Sequence, residues 1–104
     1  MERIEKLKEF LVANPDDSFL SHALALEYIK EGKDLEAKQL FETILQRDEN
    51  YIGSYYHLGK LLEKLNQHQL AMQWYAKGMS KAKSLGDQHA YNELMSAYED
   101  LLDS

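Results

Sequence analysis

The chain of 104 residues contains no cysteine, one proline and five glycines. Without cysteine there can be no disulfide, no thiolate nucleophile and no cysteine-ligated metal. So few turn formers argue against an all-β chain of many hairpins and favour a few long helices. Bases are also short, 12 against 18 acids, for a formal charge of -6. An acidic chain neutralises phosphates poorly, which sets nucleic acid aside as a primary partner. No segment reaches the ~18 consecutive apolar residues that would span a bilayer. The first residues, Met1 to Glu9, carry charge in every turn, unlike the apolar core of a secretory signal. No membrane association and a cytoplasmic location are the expectations. A composition that is 44% hydrophobic and 29% charged is that of one globular domain.

Apolar residues recur at helical steps. Ile4, Leu7 and Leu11 form one stripe over residues 2–13. Asn14-Pro15 ends that segment, since the residue before proline is pushed out of the helical region. Ser18 is a candidate cap for a second helix ending near Glu31, with Gly32 as its left-handed stop. Asp34 and Asn50 are candidate caps for a third helix, to about Arg47, and a fourth, to about Leu65. A fifth runs from about His68 to Ser84 and stops at Gly86. Asp87 would cap a sixth, in which Tyr91, Leu94, Met95, Tyr98, Leu101 and Leu102 recur at three- and four-residue steps.

Short connections suit an up-down bundle as well as a repeat, and internal repetition decides between them. At an offset of 34 residues, Leu24 falls on Leu58, Ala25 on Gly59, Tyr28 on Leu62, Ala37 on Ala71, Phe41 on Tyr75 and Leu45 on Met79. Gly32 falls on Asn66, the two residue types that best tolerate a positive φ. The small pairs would let two helices approach closely, and the large pairs would fill the space beside them. Going backwards, Leu7, Phe10 and Leu11 precede Phe41, Ile44 and Leu45 by the same 34 residues, so the first helix reads as the second half of a repeat. Going forwards, Tyr55, Leu58, Gly59 and Leu62 meet Tyr91, Leu94, Met95 and Tyr98 at an offset of 36, so the sixth helix reads as a first half.

With these residues the chain resembles the tetratricopeptide repeat family. The repeats would be 18–51 and 52–85, with a half repeat at 1–14 and a capping helix at 87–103, all in one domain. Ser21, Gly78, Glu49 and Lys83 depart from the family's preferences for an aromatic, an alanine and a proline. Gly78 should cost about 1 kcal/mol of helix propensity against alanine. The fold implied is all-α, a right-handed superhelix of antiparallel helix pairs.

Catalytic and metal constellations are missing. The four histidines, His22, His57, His68 and His89, never fall three or four apart, and there is no His-Glu-x-x-His. No Gly-x-Ser-x-Gly turn and no glycine-rich phosphate loop occurs. The expectation is a chain that is not an enzyme and needs no cofactor or metal. Helix 2 draws attention instead, because Phe19, Leu20, Ala23, Leu24, Leu26, Tyr28 and Ile29 cover most of its circumference. Such a helix should be covered on more than one side.

The resemblance implies that the first helix of each repeat lines a concave groove. The matching positions are Phe19, His22, Leu26, Ile29 and Lys30, then Gly53, Tyr56, Lys60, Glu63 and Lys64. Of these, Phe19, His22, Leu26, Ile29, Lys30, Tyr56, Lys60 and Lys64 are the candidate partner-binding residues. The partner would be a protein segment with apolar anchors and some negative charge. The lysine–asparagine clamp with which many family members grip chaperone tails is replaced here by His22 and Leu26, which disfavours that ligand. Two expectations remain open: helix 1 folds over Leu26 and Ile29, or those residues face a groove. The alternative function is a structural or self-associating subunit, such as a homodimer, whose apolar groove is buried by another copy.

Overall fold

The computed structural model describes residues 2–104, and six helices account for their regular structure, with no strand among the described residues. They are α1 (Glu2–Ala13), α2 (Ser18–Lys30), α3 (Asp34–Arg47), α4 (Gly53–Lys64), α5 (His68–Leu85) and α6 (Gln88–Leu102). The chain divides into two compact units, Met1–Asp48 and Glu49–Ser104.

In the first unit α2 packs against both α1 and α3. Ile4 and Leu7 of α1 join Leu24 of α2 in a buried cluster, with Leu11, Leu20, Ala23, Tyr28 and Leu40 against it. Ala25, Ala37, Phe41 and Ile44 have no exposed surface. Two polar contacts hold the lower end of the unit: the Ser18 hydroxyl lies 3.2 Å from Asp48 Oδ2, and Arg47 pairs with Asp16 at 3.7 Å.

In the second unit α4 and α6 both pack on α5. Tyr55, Leu58, Leu62, Ala71, Tyr75 and Leu94 are buried. Gly59 and Gly78 allow the close approach of α4 to α5. A Cβ on Gly59 would collide with the Tyr75 ring, and one on Gly78 would lie 2.6 Å from Tyr55 Cβ. Tyr55 donates its phenolic proton to the Glu49 carbonyl at 2.7 Å, and Lys81 reaches the Glu49 carboxylate at 2.8 Å.

The turns follow the 34-residue offset. Gly32 has φ 76° and Asn66 φ 62°. The next amide in each turn reaches back to close the helix end: Lys33 N to the Tyr28 carbonyl and Gln67 N to the Leu62 carbonyl, both 2.8 Å. Gly86, at φ 73°, closes α5 the same way through Asp87 N and the Ala82 carbonyl, 2.9 Å. These are left-handed caps that satisfy otherwise orphaned carbonyls.

Three expected caps differ. Asp17, not Ser18, caps α2, accepting from Leu20 N at 3.0 Å; a carboxylate also answers the positive end of the helix dipole. Asp34 is the first residue of α3 rather than its cap. Asn50 lies in a turn, and the chain enters α4 through Ser54 N–Tyr51 O and Tyr55 N–Ile52 O bonds of 3.2 Å, tight three-residue steps that leave no place for an Asn50 cap. Asp87 caps α6 as expected, accepting from Ala90 N at 3.0 Å.

Candidate functional site

On α2, Phe19, His22, Leu26, Ile29 and Lys30 are spaced so that a 3.6-residue helix gathers them on an arc of about 100°. The α1-facing side of the same helix is a different one, carrying Leu20, Ala23, Leu24 and Tyr28. Phe19 is 68% exposed, while Leu26 and Ile29 are half-buried and lie outside the α1–α2 cluster. His22 is half-buried with its ring edge-on to Phe41, centroids 5.5 Å apart. That contact fixes the imidazole at the margin of the core. Lys30 is exposed and lies 3.2 Å from Glu27. Glu27 also receives Arg3 of α1 at 3.3 Å. The Lys30 hydrogen bond, with the charges of Lys30 and Arg3, holds the Glu27 carboxyl below its ordinary value.

On α4, Tyr56, Lys60 and Lys64 succeed one another at four-residue steps, on one stripe. Tyr56 is half-buried and both lysines are exposed. The Lys60 ammonium stands 6.0 Å from the Tyr56 ring centroid and 3.7 Å from Glu63 Oε2. The Tyr56 ring lies 6.4 Å from that of Tyr75 and 5.6 Å from that of His57. Glu63 in turn accepts a hydrogen bond from the buried Tyr75 hydroxyl. Burial, then the Glu63 carboxylate, pushes the Tyr75 phenol far above its ordinary range. Lys60, Glu63 and Tyr75 are thus one chain of polar contacts from the α4 surface into the core. Gly53, at the start of α4, is exposed and adds no side chain.

Reasoning from sequence missed the Glu63–Tyr75 bond. The signal was present: Tyr75 occupies the position of Phe41, and a buried phenol needs an acceptor. Glu63, on the preceding helix, was the carboxylate within reach.

Among the described residues, no group of three or more histidine, aspartate or glutamate side chains could hold a metal ion. No helix among them is long and apolar enough to cross a membrane.

A family profile described as tetratricopeptide repeat matches residues 20–51 and 52–80. Solved structures agree. A tetratricopeptide repeat domain protein from Salinibacter ruber, seen in a crystal, is 38% identical over 84% of this chain and 97% of its own, with a TM-score of 0.80. A solution structure of such a protein from the same organism is 39% identical, covering 84% of this chain and 88% of its own, with a TM-score of 0.81. A Bordetella parapertussis protein is 26% identical over 96% of this chain and 87% of its own, with a TM-score of 0.83. No curated protein matches. The chain belongs to the tetratricopeptide repeat family, whose fold generally serves protein–protein interaction and is generally not catalytic.

Proposed function

We propose that this chain is a non-catalytic adaptor that holds a partner peptide or helix in the groove lined by the first helices of its repeats. Repeats 18–51 and 52–85 form the binding body in this reading, with 1–14 as a half repeat and 87–103 as the capping helix. Phe19, Leu26 and Ile29 supply apolar anchoring sites, and His22 a polar edge. Tyr56 adds an aromatic face, and Lys30, Lys60 and Lys64 favour acidic residues on the partner. The protein works without cofactor or metal, and its setting is cytoplasmic.

The observation that carries the reading is the state of α2. Its α1-facing side is packed, while Phe19 stands 68% exposed on the arc that also holds Leu26 and Ile29. Large apolar side chains that reach solvent on one arc are what desolvated anchors of a partner require.

Peptide selection against the folded chain, followed by crosslink mapping, tests it. Selected peptides should carry apolar anchors beside acidic residues and crosslink to α2 and α4. Leu26→Ser should weaken binding about tenfold or more, as loss of a central anchor does. Thermal melting must accompany that variant. Phe19→Ser, at an exposed position, gives the same reading without a folding risk. Crosslinks confined to α3 and α5 would show the reading to be wrong.

A further inference from the structure

The proposed binding surface has a long axis. On α2 its apolar members, Phe19, Leu26 and Ile29, extend over about ten residues, roughly 15 Å along the helix. Phe19 is 68% exposed, and Leu26 and Ile29 are half-buried. The matching positions of α4 hold Gly53, Tyr56, Lys60, Glu63 and Lys64, with no aliphatic side chain among them. An apolar ligand finds its match along α2, in one line, and not on α4.

The backbone of α2 bears on the conformation that ligand takes. Residues in a helix interior spend their amides and carbonyls on one another, so this face presents side chains alone. The arc's polar side chains are only His22 and Lys30. An extended segment laid along Phe19, Leu26 and Ile29 would desolvate a row of its own backbone groups without partners, which is costly. Extended ligands gain those partners at a sheet edge, and no strand occurs among the described residues. A helical ligand brings its backbone hydrogen bonds with it and needs only an apolar seam. Phe19, His22, Leu26 and Ile29 follow one another at steps of three, four and three residues, the spacing by which paired helices interlock.

Charge gives the seam a direction. At the C-terminal end of α2 the Lys30 side chain is 72% exposed, whereas its partner Glu27 is 16% exposed and also receives Arg3. Two cations share one carboxylate there, and the cations face solvent. Glu31 falls on the far side of the helix from the arc. At the N-terminal end the order is reversed: Asp16 is 85% exposed and its partner Arg47 27%. A helix favours acidic residues in its first turn and basic ones in its last. Antiparallel to α2, such a helix sets its first turn beside Lys30 and its last beside Asp16. Resting on the adaptor reading above, we infer that the partner segment is an amphipathic α-helix of about three turns, seated along α2 and antiparallel to it, with an acidic first turn and a basic last one.

Peptides selected against the full chain from a random library provide the probes, each about 16 residues, three turns with one to spare. Those selected should repeat apolar residues at three- and four-residue steps, with acids near the first residue. A mid-sequence proline should weaken each by about tenfold or more. A lactam staple on the polar face should tighten it by about threefold, since less ordering remains to be done on binding. Lys30→Glu should weaken such a peptide about fivefold, and lysines in place of the acids of its first turn should restore binding to that variant. Circular dichroism checks that Lys30→Glu is folded, and Lys30→Gln, which adds no charge, should fall between it and the wild type. Peptides that crosslink to α2 and α4 yet tolerate proline overturn the helix and leave the adaptor reading intact. Rescue of Lys30→Glu by lysines in the last turn of the peptide overturns the antiparallel seat. Failure to select any binder, or crosslinks confined to α3 and α5, removes the adaptor reading itself and this inference with it.

Discussion

The Tyr75 hydroxyl of α5 is hydrogen-bonded to Glu63 of α4, and the same ring fills the space that a side chain on Gly59 would need. The two restraints act together. Tyr75 is wholly buried and its hydroxyl is tied, so the ring cannot swing aside for a new methyl group. Gly59→Ala should therefore destabilise the chain by about 1–3 kcal/mol, although alanine is the better helix former. Urea unfolding followed by circular dichroism measures this. An unchanged midpoint would mean that α4 and α5 are not so close.

Gly59 was legible because it shares a register with Ala25, and Tyr75 because it shares one with Phe41. The pairing of small and large residues across two helices showed in the 34-residue offset, and so did Gly32 with Asn66. From sequence alone, Gly78 only weakens its helix. The structure gives it a reason, since Tyr55 Cβ takes the place of its missing side chain. One sequence shows that a glycine costs propensity, not which neighbour needs the room. Sequence does not locate the cap of α2, because Asp16, Asp17 and Ser18 cluster before it and only the backbone path chooses among them, whereas α4 begins after Ile52 with no side-chain cap at all. The α1-facing and exposed sides of α2 could not be told apart either: its apolar residues run nearly all round, so periodicity assigns no face.

Asn66 holds φ at 62° in the turn where the first unit has Gly32. Asparagine accepts that conformation at some cost, and glycine at none. Asn66→Gly should leave the melting temperature unchanged or raise it slightly. Asn66→Val should cost roughly 1–2 kcal/mol, the penalty for a β-branched residue there. Thermal melts of the pair check this, and equal effects would argue against a left-handed turn.

His57 gives a pH dependence of known sign. Burial holds its imidazole below the ordinary value of 6.5, and the Glu93 carboxylate opposes this only in part. The unfolded chain therefore binds a proton at this residue before the folded chain does. The stability involved is fully present above about pH 6.5 and is lost as pH falls through that value towards the lower folded one. His57→Gln should flatten the fall between about pH 6.5 and 5, above the ordinary carboxylate range. Chemical denaturation at a series of pH values measures the slope. An identical slope in the variant would assign it to another group.

Lys60 is already engaged when a partner arrives. Its ammonium lies 3.7 Å from Glu63 and 6.0 Å from the Tyr56 ring centroid. An acidic partner residue must compete with Glu63 for that charge, and the ammonium is half exposed to screening salt. Lys60→Ala should therefore weaken an acidic peptide only mildly, by about two- to fivefold, and flatten its salt dependence. Glu63→Gln should act in the opposite direction. The amide oxygen can still accept from Tyr75, so the core contact survives, while the competing charge is gone. Binding of the same peptide should tighten by about twofold or more, chiefly through faster association at low salt. Stopped-flow association rates for both variants over a salt series provide the comparison. If Glu63→Gln slowed association while its melting temperature held, Glu63 would be helping to position Lys60 for the partner rather than competing with it.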